Sequence, residues 1–310
     1  MVSSCNHFPY VPAMNPPRSH LLPVLAVISG LALFSIMDGV MKAASILSGA
    51  YAAMFWRGLA GSVMMFPLWL RRRTGWPARQ TMKVHLLRGV VAACMATLFF
   101  YGIVRTPLAE GIALSFIAPL IALYLAAVML GETIQRAAIG GSVLALAGVV
   151  VIASRKFDGH SDVEAIKGLI AILVSAVLYA WNLVLQRRQA QIAGPEEVAF
   201  FQTLICFLFL GIGAWWFAPW PSATAWGLIV ISAALSTGSL MLLSWAYARA
   251  EAQVLVPLEY TAFIWAAIVG WIAFAEEVTL ATLAGVVLIV AGCLYATRRN
   301  ADPPRPEMPN

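Results

Sequence analysis

The sequence predicts an all-α integral membrane protein of ten transmembrane helices, built as two inverted five-helix repeats. Three observations predict it. Of 310 residues, 61% are hydrophobic and 11% charged, with a mean hydropathy of +0.84; a soluble domain carries about 25% charged residues. So few polar side chains cannot coat a soluble globule, which excludes a soluble enzyme, a disordered chain and a nucleic-acid-binding module. Next, apolar stretches recur at the length of about 20 residues that crosses a hydrocarbon layer about 30 Å thick. Finally, the chain resembles itself at a displacement of 144 positions.

The elements follow from where the charges fall. The first predicted helix, 21–43, contains Asp38 and Lys42, and the second, 51–70, contains Arg57. The third, 84–104, opens with His85 and Arg88, which are expected to snorkel to the interface. Helices four to six are the uncharged runs 111–131, 137–154 and 168–186. No charge lies between Glu197 and Arg249, a stretch that suits two spans with a turn at Pro219-Trp220-Pro221. The ninth, 252–275, contains Glu259, and the tenth is 278–297. Residues 1–20 and 299–310 are polar and proline-rich, and both are expected to be disordered and cytoplasmic. The first has no apolar core before a cleavage site and does not read as a signal peptide. The repeats then occupy 21–154 and 168–298, joined by an extracytoplasmic linker over 155–167.

The net charge of +6 reads as topology rather than as a nucleic-acid surface. Arg71, Arg72, Arg73, Arg79, Lys83 and Arg88 crowd one loop, against Arg105, Arg155, Lys156 and Lys167 on the other side. Basic loops stay in the cytoplasm, so both termini are expected inside, in an inner membrane. Cys94, Cys206 and Cys293 lie in apolar runs, and with Cys5 they are too scattered for a disulfide framework.

The self-similarity rests on rare residues. The displacement places Arg105 on Arg249, Glu132 on Glu276, Gly141 on Gly285 and Gly148 on Gly292. It also places Asp38 on Asn182 and Lys42 on Gln186. A five-helix unit has an odd number of spans, so its second copy enters from the opposite face. Inverted repeats around a midplane site characterise secondary transporters.

The stretch Pro257-Leu-Glu-Tyr-Thr-Ala-Phe-Ile-Trp265, with Gly270-Trp271 and Glu276, resembles the last repeat of EamA-domain proteins of the drug/metabolite transporter superfamily. Ala250-Glu-Ala-Gln before it, and Ala284-Gly285 and Ala291-Gly292 after it, fit too. In the first half, Phe55-Trp-Arg57-Gly-Leu-Ala60, Ala118-Pro119 and Leu130-Gly-Glu132 resemble the same family. One departure is Ala275, where the family usually has Gly. The resemblance implies ten helices, cytoplasmic termini and carriage of small metabolites. Its members handle amino acids, nucleotide-derived compounds, vitamins and drugs, so it selects no substrate.

Ionisable groups inside a membrane cost about 2.5–3.5 kcal/mol on insertion scales and mark function by default. Asp38 and Lys42 are spaced i,i+4 and can pair. Arg57 enters helix two from the same side, so a network of Asp38 with two cations is expected, although snorkelling is the favoured reading for Lys42. Glu259, with no charge within six residues, is the first candidate for proton or substrate coupling. Pro257 removes a backbone donor beside it. Tyr260 and Trp265 follow as candidate cavity walls. The aromatics Tyr101, Tyr179, Trp181, Trp245 and Tyr247 also fall within spans, and Trp215, Trp216, Trp220 and Trp226 read as an interfacial belt. Glu132 and Glu276 read as interfacial caps, and Arg105 and Arg249 as end anchors. Ala137, Gly141 and Ala145 in helix five, with Ala281 and Gly285 in helix ten, predict tight packing within the chain or across a homodimer.

The histidines, His7, His20, His85 and His160, form no metal-ligand spacing with Cys or carboxylates. No phosphate-binding loop of the GxxxxGK[ST] type occurs. The expectation is therefore a carrier without cofactor or catalysis, moving a small polar or amphipathic metabolite by alternating access, with protons as candidate coupling ion. The competing reading is an uncoupled uptake carrier or channel for a nucleoside-like or vitamin compound.

Overall fold

A computed structural model describes residues 21–72, 75–130, 136–154, 163–190, 192–247 and 258–298. The described residues are helical, without strands. They form α1 (Leu21–Ser48), α2 (Ala50–Arg72), α3 (Arg79–Ile103), α4 (Leu108–Ser115), α5 (Ala118–Leu130) and α6 (Arg136–Ser154). After these come α7 (Val163–Ala190), α8 (Pro195–Phe217), α9 (Ala223–Tyr247), α10 (Ala262–Phe274) and α11 (Leu280–Arg298). Five of them are long and apolar enough to span a bilayer by length and composition alone, and four shorter apolar stretches fall in α4 with the start of α5, in α6, in α10 and in α11. The predicted termini and the 155–162 part of the linker lie outside the described residues, as do Cys5, Glu132, Arg249 and Pro257.

Each element has a local cause. A single residue, Gly49, joins α1 to α2; its φ of 81° lies in the left-handed region that a Cβ disfavours. Helix α8 starts with Pro195 in its first turn, followed by Glu196 and Glu197, whose charges oppose the helix dipole. The predicted hairpin turn between α8 and α9 falls over 218–222, with Pro219 and Pro221 inside it. Helix α1 runs five residues past its predicted end. Asp38 is therefore about 15 Å from the helix end at 1.5 Å per residue, deeper than its sequence position suggested.

The fourth span is not one helix. It breaks at Phe116–Ile117, between α4 and α5, where Phe116 N–H bonds to Ala113 O at 3.2 Å and Ile117 N–H to Leu114 O at 3.4 Å. These tighter i→i−3 bonds replace the α-helical pattern. Pro119 contributes by removing the donor that the Ser115 carbonyl needs. The ninth span breaks at the matching register: Tyr260–Thr261 precede α10, with Thr261 N–H bonded to Leu258 O at 2.9 Å. A displacement of 144 carries Ala118, the first residue of α5, onto Ala262, the first of α10. Both helices have 13 residues, as α3 and α9 have 25 each and α6 and α11 have 19 each.

Packing partners exchange in the same way. Helix α1 packs on α9 and α10, and α7 packs on α3 and α5; α2 packs on α8, and α6 on α11. The last two pairs are antiparallel. Along α2 and α8, Tyr51 meets Gly213, Phe55 stacks on Phe207 at 4.9 Å, and Trp69 stacks on Phe200 at 4.7 Å. Between α6 and α11, a Cβ on Gly148 would strike the Gly285 carbonyl, and one on Gly292 the Gly141 carbonyl. The predicted small-residue seam is therefore internal to the chain. The end of the bundle where α2 ends and α3 starts is called here the α2–α3 face, and the other end the α1–α2 face.

Candidate functional site

The two helix breaks meet. The Phe116 and Tyr260 rings pack edge to face with centroids 5.2 Å apart, one from each elbow. The Phe116 carbonyl, released from the helix ladder, accepts from Cys293 Sγ on α11 at 3.3 Å. From α1, Ser35 Oγ donates to the Ala262 carbonyl at 3.3 Å, tying α1 to the start of α10. One turn along the same face of α1 lies Asp38, 2% exposed.

Asp38 and Arg57 act on each other electrostatically, and Tyr179 of α7 lies within electrostatic reach of both Asp38 and Glu259. Arg57 is oriented by two further helices. Its Nη2 donates to Ser236 Oγ of α9 at 3.0 Å, and its guanidinium lies 5.9 Å from the Phe100 ring centroid of α3. Asp38, Arg57, Tyr179, Glu259 and Tyr260 thus gather around the elbows, two carboxyls and one guanidinium beside phenols. Such a set can hold the charged ends of a small solute, and its carboxyls can take up and release protons.

Trp265 does not join them. It packs on Val27, Leu31 and Ala246, a separate cluster between α1 and α9. Trp181 and Trp245 face outward, while Trp215, Trp216 and Trp220 are 91%, 74% and 75% exposed, as a belt requires. Trp226 packs against Trp220 and Trp56.

Lys42 corrects its expectation. It neither snorkels nor pairs with Asp38, and it is 3% exposed. Its Nζ donates to Glu276 Oε1 and, at 2.8 Å, to the Thr106 carbonyl. Glu276 Oε2 in turn accepts from Leu108 N–H at 2.7 Å, capping α4. Phe274 lies over the ammonium, 5.0 Å from centroid to Nζ. Glu276 is therefore a cap, as expected, but its cation comes from α1 rather than from a loop. This clasp ties α1, α4 and α10 at the α1–α2 face. Spacing within one span offered Lys42 only Asp38, whereas its partner lies 234 residues away.

His85 and Arg88 also depart from snorkelling; both are buried, at 1% and 5% exposed. Arg88 Nε donates to Asn182 Oδ1 at 3.1 Å. Arg105 does anchor a helix end, bonding Glu164 at 2.7 Å and lying over Tyr101. Cys94, Cys206 and Cys293 are free thiols.

A helical bundle with two interrupted spans meeting at buried charges is the architecture of multi-pass membrane carriers. The sequence comparisons agree. The EamA-like transporter family matches residues 21–154 and again 166–298. The chain belongs to that family, which the motifs around Arg57 and Glu259 had indicated. It is 27% identical to the pseudopaline exporter of Pseudomonas aeruginosa over 277 residues, 89% of this chain and 95% of that one. It is 24% identical to the S-adenosylmethionine uptake transporter of Rickettsia felis, over 79% of this chain and 82% of that one. It is 25% identical to the aromatic amino acid exporter of Ancylobacter novellus, over 64% and 70%. A crystal structure 22% identical in sequence, covering 89% of this chain and 98% of its own, shares the fold at a TM-score of 0.59.

Proposed function

We propose that the protein is a secondary active transporter of a small polar or amphipathic metabolite, working by alternating access between two inverted repeats in the inner membrane. The observation that carries this reading is the meeting of the two helix breaks, Phe116 against Tyr260, beside the buried Asp38 and the half-buried Arg57. Irregular backbone at membrane depth is tolerated only where it is buried in protein or lines a water-filled cavity, and broken helices in matching positions of two halves point to a midplane binding site. The antiparallel packing of α2 on α8 and of α6 on α11 supports inversion, because each pair joins counterpart helices of the two repeats. The basic α2–α3 loop supports a cytoplasmic α2–α3 face and cytoplasmic termini.

In this reading Asp38, Arg57, Glu259 and Tyr260 contact the solute, Tyr179 lies between the two carboxyls, and Glu259 or Asp38 carries the coupling proton. Trp265 supports α10 from outside the path. The relatives named above are, by name, carriers of pseudopaline, S-adenosylmethionine and aromatic amino acids. An amino acid carries one charge of each sign, and a solute of that kind suits a site holding both charge signs.

The test is exchange in liposomes holding the purified protein, given a mixed pool of amino acids, nucleosides and amino-acid conjugates, with and without an imposed pH gradient, read by mass spectrometry. Accumulation of one class under the gradient, lost in Glu259→Gln while downhill exchange persists, is the expected result. Gradient-independent equilibration would favour the uncoupled carrier. No flux above empty liposomes for any solute would overturn both.

A further inference from the structure

We propose that His85, Gln189 and Arg88 form a proton-binding site at the α2–α3 face, where one added proton breaks one link of the polar tie between α3 and α7. This goes beyond the transport reading and does not rest on it.

The tie is a directed chain. Arg88 donates to Asn182 Oδ1 through Nε and to Gln189 Oε1 through Nη1. The Gln189 amide nitrogen meets His85 Nδ1, and His85 Nε2 meets Glu197 Oε1 at 2.9 Å. His85 and Gln189 are each 1% exposed. Phe201 of α8 stacks on the imidazole, with centroids 5.0 Å apart and planes 17° from parallel, which holds the ring in place.

Arg88 sets the direction of every link. A guanidinium has only donors, so Gln189 must turn its carbonyl toward Arg88 and its NH2 toward His85. An amide NH2 cannot accept, so His85 Nδ1 must be bare. The single ring proton then sits on Nε2 and is donated to Glu197. The imidazole is held neutral, in one tautomer, by a cation it does not touch.

A second proton has no acceptor. On Nδ1 it faces the Gln189 NH2. Turning the amide over moves the conflict to Arg88, whose N–H then faces that NH2. Either way one link between α3 and α7 is lost, and two cations one helical turn apart repel in a poorly screened interior. Among the described residues, the charged groups at the ring are Arg88 from α3 and Glu197 from α8; α7 contributes the neutral Gln189. From α2, Arg72 pairs instead with Glu196 at 3.7 Å. Glu197, with 23% of its side chain exposed, links the Nε2 side of the ring to water, while the second proton reaches Nδ1 as the Gln189 amide swings away from it.

Two measurements on the full chain in nanodiscs test this. With His7, His20 and His160 each replaced by Gln, 15N-histidine spectra report His85 alone, and the expected neutral-pH state is the uncharged Nε2–H tautomer. Spin labels replacing the exposed Lys83 and Arg188, with the cysteines removed, report the α3–α7 distance. Acidification to the point where the 15N spectra show a charged ring should lengthen it by at least about 2 Å, the scale of helix shifts. Gln189→Glu should abolish that lengthening, because a carboxylate accepts from both Arg88 and a protonated Nδ1. An Nδ1–H tautomer or a charged ring at neutral pH, an unchanged wild-type distance, or equal lengthening in Gln189→Glu would each overturn the proposal.

Discussion

At the scale of single residues, the clearest energetic statement concerns Lys42. An ammonium 3% exposed, bonded to Glu276 and to the Thr106 carbonyl, has exchanged its water for protein oxygens. Removing one partner of a buried pair leaves the other uncompensated, at a cost of about 3–5 kcal/mol. Lys42→Met is therefore expected to lower the thermal midpoint in detergent markedly. Adding Glu276→Gln should recover much of the loss, since the Gln carbonyl can still accept from Leu108 N–H. A double variant no more stable than Lys42→Met would dismiss the ion pair as the cause. A second residue carries a smaller, opposite effect. Ala275 closes α10 at φ 52°, and Glu276 N–H reaches back to the Gly270 carbonyl at 3.1 Å. Left-handed backbone disfavours a Cβ by about 1–2 kcal/mol. Ala275→Gly should raise the midpoint by about 1 kcal/mol of stability, and a lower midpoint would count against strain at this cap.

At the scale of elements, the α6–α11 seam and the two elbows behave differently under mutation. The seam is backbone against backbone at Gly148–Gly285 and Gly141–Gly292, so any side chain must push the helices apart. Overpacking costs about 1–3 kcal/mol. Gly148→Val should destabilise by at least that much, measured by thermal unfolding, whereas Gly227→Val, with open space around it, should not. The seam was legible in sequence because small residues four apart have one common use in a membrane helix. The elbows were not. A break of two residues at Phe116–Ile117 leaves hydropathy unchanged, since both residues are apolar and the run stays uncharged. Pro119 was the only local sign, and its effect falls on a carbonyl four residues earlier. The charged partners were hidden for a related reason. Reading one span at a time pairs Lys42 with Asp38, but inside a bundle a cation chooses among all helices, and Glu276 lay at the end of another repeat.

At the scale of the whole molecule, the spans, the α8–α9 hairpin and the repeat were readable because bilayer thickness and charge cost act on long windows. Which side chains meet at the centre depends on packing between helices far apart in sequence, as Phe116 with Tyr260 shows. Inversion gives a direct expectation. Single cysteines replacing Arg105 and Arg249, counterparts under the repeat, should react with impermeant thiol reagents from opposite sides of the membrane. Labelling from one side would exclude inverted halves. The repeats also differ in one consequential place: where the first carries Lys42, the second carries Gln186, which is exposed. The bolt at the α1–α2 mouth therefore has no matching cation in the second repeat at the position that corresponds to Lys42. If opening that bolt costs about 3 kcal/mol, an empty protein would keep the bolted mouth shut in all but about one molecule in a hundred. In the alternating cycle proposed above, the idle carrier waits with a single preferred doorway ajar, and single-molecule fluorescence on Lys42→Met should find that waiting preference erased.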